Sequence, residues 1–156
     1  MINTYDLFIT RISHGKLPIP VDIHKNIISS VEKEYTVDNT VSCIQGFQSH
    51  KEFKGKQELH SILDNYFKNI FALKLQSGWL NVLGPNSHNK PHSHNGNNIS
   101  HSGVFYLSDN NNNITFSKNG DIFEIKPKLF EYLIFPNDLI HYVLPENRNN
   151  KRICYA

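Results

Sequence analysis

The amino-acid sequence predicts a mainly β protein, a jelly roll of two packed sheets with supporting N-terminal helices. Three observations carry this. From Gly78 onward, short β-branched and aromatic runs are separated by Asn-, Gly- and Pro-rich turns, the texture of many short strands. Upstream, two segments carry apolar residues at steps of three and four, the period of a helix buried along one face. Finally, 156 residues with no internal repeat and no linker make one domain, and 38% hydrophobic residues suffice for its core. Many short strands in one domain pack best as two sheets closed over each other, which leaves little free strand edge. Within the single domain 1–156, residues 1–76 are expected to form a strand and helices and residues 77–156 the jelly-roll core.

In chain order, Tyr5 to Ile12 is aromatic and β-branched with partial alternation and reads as a strand at a sheet edge, closed by Gly15 and Pro18. After Pro20, Asp22 can cap a helix whose apolar stripe is Ile23, Ile27, Ile28 and Val31 and which ends near Tyr35. A second helix is expected over Gln57 to Lys74, with Leu59, Ile62, Leu63, Tyr66, Phe67 and Ile70 on its buried side. Seven strands then follow, Trp79–Leu83, Gly103–Leu107, Ile114–Phe116, Ile122–Ile125, Tyr132–Phe135, His141–Leu144 and Arg152–Tyr155. Asn110 to Asn113 and Lys118 to Asp121 read as hairpin turns, since Asn and Gly tolerate the backbone angles such turns need.

Composition excludes several function classes. A formal charge of +2 is too small to argue for nucleic acid or an anionic membrane surface. No apolar run is long enough to span a bilayer, and Met1 to Asp6 lacks the basic and apolar regions of a signal peptide, so a cytoplasmic location is expected. Cys43 and Cys154 are far apart and outside any C-x-x-C spacing; they are expected to be reduced core residues.

The chemistry centres on Pro91-His92-Ser93-His94 and on His141. If His92 and His94 lie on or at the end of a strand, its period of two points both imidazoles to one side. A third histidine on a neighbouring strand then completes a three-point metal face with open positions, the arrangement catalysis needs rather than a closed structural site. Nine histidines in the chain also make an H-x-H pair easy to reach by chance, and histidines in an Asn-rich loop can bind nothing.

The order Trp79-Leu80-Asn81, His92-x-His94, Ser102 to Leu107, Leu133 to Pro136 leading into His141-Tyr142-Val143, then Arg152, resembles the Fe(II)/2-oxoglutarate-dependent oxygenases, whose fold is a cupin-like double-stranded β-helix. More narrowly it is similar to the small oxygenases of this kind in bacteria and phages, which would extend the location to a phage-infected host. The opening Leu7-Phe8 and Gly46 to Ser49 also look like that group, so the likeness covers nearly the whole chain.

The resemblance implies a hydroxylase that binds Fe(II), with 2-oxoglutarate and O2 as co-substrates and succinate and CO2 as products. It assigns His92 and His141 as iron ligands and puts His94 where the wider family has Asp or Glu; Asp138 and His101 are the other side chains to follow at that position. Arg152 matches the cation that holds the far carboxylate of 2-oxoglutarate, for which a planar guanidinium suits a bidentate pair. Tyr106 matches a strand tyrosine on the same carboxylate, with Val104 on its face, and Asn81 is a candidate for the substrate or co-substrate wall. Arg148 is expected in solvent. Family members usually continue the Arg-bearing strand by several residues, whereas here it runs only to Ala156.

Two other readings remain open at this level: a cupin-like metalloprotein using the same three histidines without 2-oxoglutarate, since Pro136-x-Asp138-x-x-His141 also fits a cupin motif, and a metal-free jelly-roll binding module. Acceptor choice is expected in loops over the mouth, Ser87 to Ser100 and Ser42 to Gly55, whose composition names neither a small molecule nor a peptide. The oligomeric state is not encoded in any pattern found.

Overall fold

The computed structural model describes residues 9–36, 40, 42–49, 52–95, 99–109, 112–147 and 150–156. In order these form β1 (Ser13–Lys16), α1 (Val21–Glu34), β2 (Cys43–Ile44), β3 (Phe47–Ser49), α2 (Lys56–Phe71), β4 (Leu80–Leu83), β5 (His88–His92), β6 (His101–Tyr106), β7 (Ile114–Lys118), β8 (Asp121–Ile125), β9 (Glu131–Pro136), β10 (Ile140–Val143) and β11 (Arg152–Tyr155). Two antiparallel sheets result, with strand orders β1-β9-β6-β11-β4-β3 and β2-β5-β10-β7-β8. The expected mainly β jelly roll is therefore the observed fold, and β1, β2 and β3 from the N-terminal half complete its sheets.

Period-two alternation divides the core in two. On β4, β6 and β11 of the larger sheet, Leu83, Val104, Tyr106 and Cys154 face the smaller sheet and pack with Phe116, Phe135, Leu139 and Val143. Their neighbours Leu80, Val82, Phe105, Ile153 and Tyr155 face the helices and pack with Ile27 and Val31 of α1 and Leu59, Leu63 and Phe67 of α2. Each such side chain taken fully from water contributes roughly 1.5–3 kcal/mol. Tyr132 pins α2 to the sheet: its ring meets Phe67 and Phe71 edge-on at 5.3 and 6.1 Å, and its hydroxyl lies 3.2 Å from that of Tyr66. Ile70, expected in the buried stripe, is exposed. No described helix is long and apolar enough to cross a membrane.

Several expectations are corrected. The first described strand is Ser13–Lys16; of the strand expected over Tyr5 to Ile12, residues 9–12 are not in a strand and residues 5–8 lie outside the described ones. It is nonetheless an edge strand, paired with β9. Gly15 sits inside it because the Tyr132 ring crosses where a Cβ would be, so the glycine marks close approach rather than a strand end. Pro20, not Asp22, occupies the α1 N-cap; Asp22 lies in the first turn, where its charge complements the helix dipole. The second helix ends at Phe71, with Ala72 in the left-handed region as its C-cap.

Lys118 to Asp121 is a hairpin turn as expected, with Asn119 and Gly120 at φ 53 and 91. Asn110 to Asn113 is not one, because β6 and β7 belong to different sheets; Asn110 and Asn111 lie outside the described residues, while Asn112 is buried and donates to the Leu144 carbonyl at 3.3 Å. The two expected mouth loops contain strands, β5 in one and β2 with β3 in the other. Cys43 and Cys154 are free and buried, as expected.

Candidate functional site

His92 and His141 are brought together by strand pairing. β5 and β10 run antiparallel with His92 directly opposite His141 and Asn89 opposite Val143. Three residue steps on β5 thus face two on β10, which is a bulge containing Lys90 and Pro91. Proline fits there because it has no N–H to give a ladder. The bulge resets the alternation, so Asn89 and His92 both line the space between the sheets. His94 lies just past the end of β5, its backbone N–H donating to the Asn137 carbonyl at 2.8 Å.

The ring centroids are 4.3 Å apart for His92 and His141, 5.2 Å for His92 and His94, and 5.3 Å for His94 and His141. One nitrogen from each ring lies within 4.8 Å of the others, a geometry that can hold a metal ion. Nδ1 of His92 lies 2.7 Å from the Lys90 carbonyl and Nδ1 of His141 3.0 Å from that of Leu139, in each case two residues upstream. A carbonyl only accepts, so both Nδ1 atoms carry the proton and both Nε2 atoms present a lone pair. Such bonds orient a ring and raise its basicity as a ligand.

Burial pushes the pKa of His141 down to about 3, with His92, His94 and Arg152 acting in the same direction against the Leu139 carbonyl. Burial, then His92, also lowers that of His94. Near neutral pH these rings are uncharged, the form that binds metal.

The three histidines open into a cavity of about 600 Å³ between the sheets, within the range of ligand pockets. Arg152, Asn81 and Asn89 line the same cavity, along with apolar side chains such as Val104, Phe135 and Val143. No acidic side chain among the described residues lines it. Arg152 is 2% exposed. One Nη donates to Cys154 Sγ and the other to the Tyr106 hydroxyl, both at 3.3 Å, and the guanidinium lies 5.1 Å from the Tyr106 ring centre. Its Nε has no partner, and no ion pair among the described residues involves it. A guanidinium stays charged, so the fold buries a cation beside the histidines with no counter-charge of its own.

Tyr106 is fully buried, and burial pushes its phenol up to about 12. It is not among the cavity-lining residues and reaches the cavity only through Arg152. Asn81 donates through Nδ2 to Asn89 Oδ1 at 3.2 Å, while its own buried Oδ1 has no partner.

The remaining candidates lie apart from the cluster. Asp138 is exposed in the turn before β10. His101 begins β6 on the cavity rim, its ring on Ser100 Oγ at 2.9 Å. Arg148 lies outside the described residues. Sequence reasoning passed over Asn89, which faces the cavity only because of the bulge, and Asn137, whose contacts link segments distant in the chain. Trp79, known from its motif, stands 6.3 Å from the His94 ring and also lines the cavity.

No family model matches the chain, and no curated protein does. Solved structures do match in fold. A prolyl-4-hydroxylase of Pseudomonas putida is similar over 92% of this chain and 89% of its own, at a TM-score of 0.67 and 14% identity. A prolyl hydroxylase of Trichoplax adhaerens, in complex with a hypoxia inducible factor peptide fragment, covers 92% and 80% at 0.70 and 11%. HygX of Streptomyces hygroscopicus, with nickel and 2-oxoglutarate bound, covers 94% and 81% at 0.68 and 12%. The chain has the jelly-roll fold of these structures; at such identities the likeness concerns the fold.

Proposed function

We propose that the protein is an Fe(II)- and 2-oxoglutarate-dependent dioxygenase that hydroxylates an acceptor of unidentified structure, a small molecule or a peptide. The observation that carries this reading is Arg152, a buried cation without a counter-charge in the same cavity as an open three-histidine face. A three-histidine metalloprotein with no anionic co-substrate gives that charge no purpose, and a metal-free module explains neither feature.

In this reading His92, His94 and His141 hold Fe(II) through their free ring nitrogens and leave positions for incoming ligands. Bound there, the metal supplies the coupled conversion of 2-oxoglutarate, O2 and an acceptor C–H to succinate, CO2 and an alcohol. Arg152, which lines the cavity, binds the far carboxylate of 2-oxoglutarate through the Nη hydrogens that Cys154 and Tyr106 do not take up. Tyr106 holds the guanidinium in orientation through one Nη and through its ring face. Phe135, Val104 and Val143 keep the cavity wall apolar, which strengthens each charge interaction inside it. Asn81 offers a carboxamide to the same wall.

The decisive measurement is succinate formation from 2-oxoglutarate with and without Fe(II). The reading expects iron-dependent succinate at a slow uncoupled rate without acceptor, and its loss in Arg152→Ala. Metal-loaded protein that neither binds nor turns over 2-oxoglutarate overturns it in favour of the cupin-like reading.

A further inference from the structure

We infer that Asn137 is a positioning residue that sets the third arm of the metal face, His94; the inference deepens the proposed function and rests on its metal site. The three histidines are not held alike. His92 and His141 sit opposite each other in the β5–β10 ladder, and each ring is fixed by a carbonyl two residues upstream. His94 lies beyond the end of β5, and its ring meets only other rings among the described contacts, those of Trp79, His92 and His141. Its backbone N–H donates to the Asn137 carbonyl.

Asn137 lies in the turn between β9 and β10, four residues before His141, and directs its carbonyl, its N–H and its side-chain Nδ2 to the β5–β6 connection. Its carbonyl accepts from the His94 N–H at 2.8 Å, its N–H donates to the Ser100 carbonyl at 3.2 Å, and its side-chain Nδ2 donates to the Ile99 carbonyl at 2.6 Å. The residue therefore grips the connection on its His94 side and on its Ser100 side, and ties both to the turn that delivers His141. A rigid ladder supplies two ligands and this clamp supplies the third. The direction of the amide is settled by chemistry, since the Ile99 carbonyl only accepts and the group facing it must be the NH2.

The clamp separates cleanly by substitution. Asn137→Ala keeps both backbone bonds and removes only the donation to Ile99. Asn137→Asp keeps the shape but sets a carboxylate oxygen against the Ile99 carbonyl, so repulsion replaces attraction. Loss of a group that orients a metal ligand costs about 10- to 100-fold in affinity.

The test titrates the full chain with Mn(II) and Co(II), reading affinity by calorimetry and coordination by the visible Co(II) spectrum. Expected are roughly tenfold weaker binding for Asn137→Ala, weaker binding still for Asn137→Asp, and Co(II) spectra shifted toward that of His94→Ala. Because Asn137 acts through His94, Asn137→Ala adds no further loss in the His94→Ala background. Wild-type affinity and an unchanged Co(II) spectrum in both Asn137 variants overturn the inference, as does additivity with His94→Ala, which would mark a general structural role. A wild-type chain that takes up neither ion overturns the metal site and this inference with it.

Discussion

Replacing Arg152 with methionine, which has similar reach but no charge, should leave stability nearly unchanged while weakening co-substrate binding. The guanidinium is 2% exposed, its Nε is unpartnered, and its hydrogen bonds run to the Cys154 sulfur and, at 3.3 Å, to the Tyr106 hydroxyl. Burying an ion costs several kcal/mol in practice, and replacing buried charge by a well-packed apolar side chain is often neutral or stabilising by about 1–4 kcal/mol. Against this stand the contact with the Tyr106 ring, of order 0.5–2 kcal/mol, and the Tyr106 hydroxyl, left unpartnered at about 1–3 kcal/mol. The balance lies near zero for Arg152→Met alone and on the stabilising side once Tyr106→Phe removes that hydroxyl as well. Binding behaves differently, because a hydrogen bond to a charged group contributes about 1.5–3 kcal/mol. That corresponds to roughly a 10- to 150-fold loss of 2-oxoglutarate affinity. Urea unfolding of the metal-free variants measures the first effect, and anaerobic calorimetry on Mn(II)-loaded protein the second. Unchanged 2-oxoglutarate affinity, or a loss of more than about 3 kcal/mol of stability in Arg152→Met, would refute the reasoning.

Three further outcomes are expected. His92→Ala and His141→Ala should each abolish Mn(II) retention in equilibrium dialysis, whereas His88→Ala and His101→Ala should leave it unchanged, since neither belongs to the cluster. His94→Asp should keep Mn(II) within about tenfold of the wild type, because a carboxylate is a competent ligand beside two imidazoles; complete loss of metal would show that the site requires the longer imidazole arm. Gly120→Ala should lower stability by about 1–2 kcal/mol, read as a shift of the urea midpoint, because Gly120 has φ 91 in the β7–β8 turn while its Cβ would meet nothing within 4 Å.

What was legible in the sequence follows the range of the forces involved. Both helices could be read because their buried stripes repeat within the chain, and β6, β7, β9 and β11 because each is a run of β-branched or aromatic residues. The misses are elements made by distant partners. β5 is His-Asn-Lys-Pro-His, a poor strand on local propensity, and it exists because β2 and β10 pair with it on either side. β1 is Ser-His-Gly-Lys, a poor strand on local propensity, and it forms because Gly15 admits the Tyr132 ring and His14 pairs with Glu131 at 2.9 Å. The period-two reading of His92 and His94 brought the right rings together for an incomplete reason, since only His92 is in a strand. Without the bulge at Lys90 and Pro91, the sequence pattern could not show that Asn89 shares the cavity with His92.

The charges of the site bind its two halves into one. With histidine at all three corners, the protein supplies no negative charge to a divalent ion there, and no acidic side chain among the described residues lines the cavity to compensate. Arg152 adds a second cation with no ion-pair partner among the described residues. Both deficits call for anions from outside, and a dicarboxylate carries one charge for each. In a cavity between packed sheets such attractions are stronger than in water, since two unit charges 4 Å apart gain about 4 kcal/mol at an effective dielectric constant of 20 against about 1 in bulk water. Metal and co-substrate binding should therefore be reciprocally coupled, each raising the affinity for the other by the same factor. In the proposed function, a histidine rather than a carboxylate at position 94 would make the metal more dependent on its co-substrate, and Arg152 would be the residue through which that dependence selects a second acidic group.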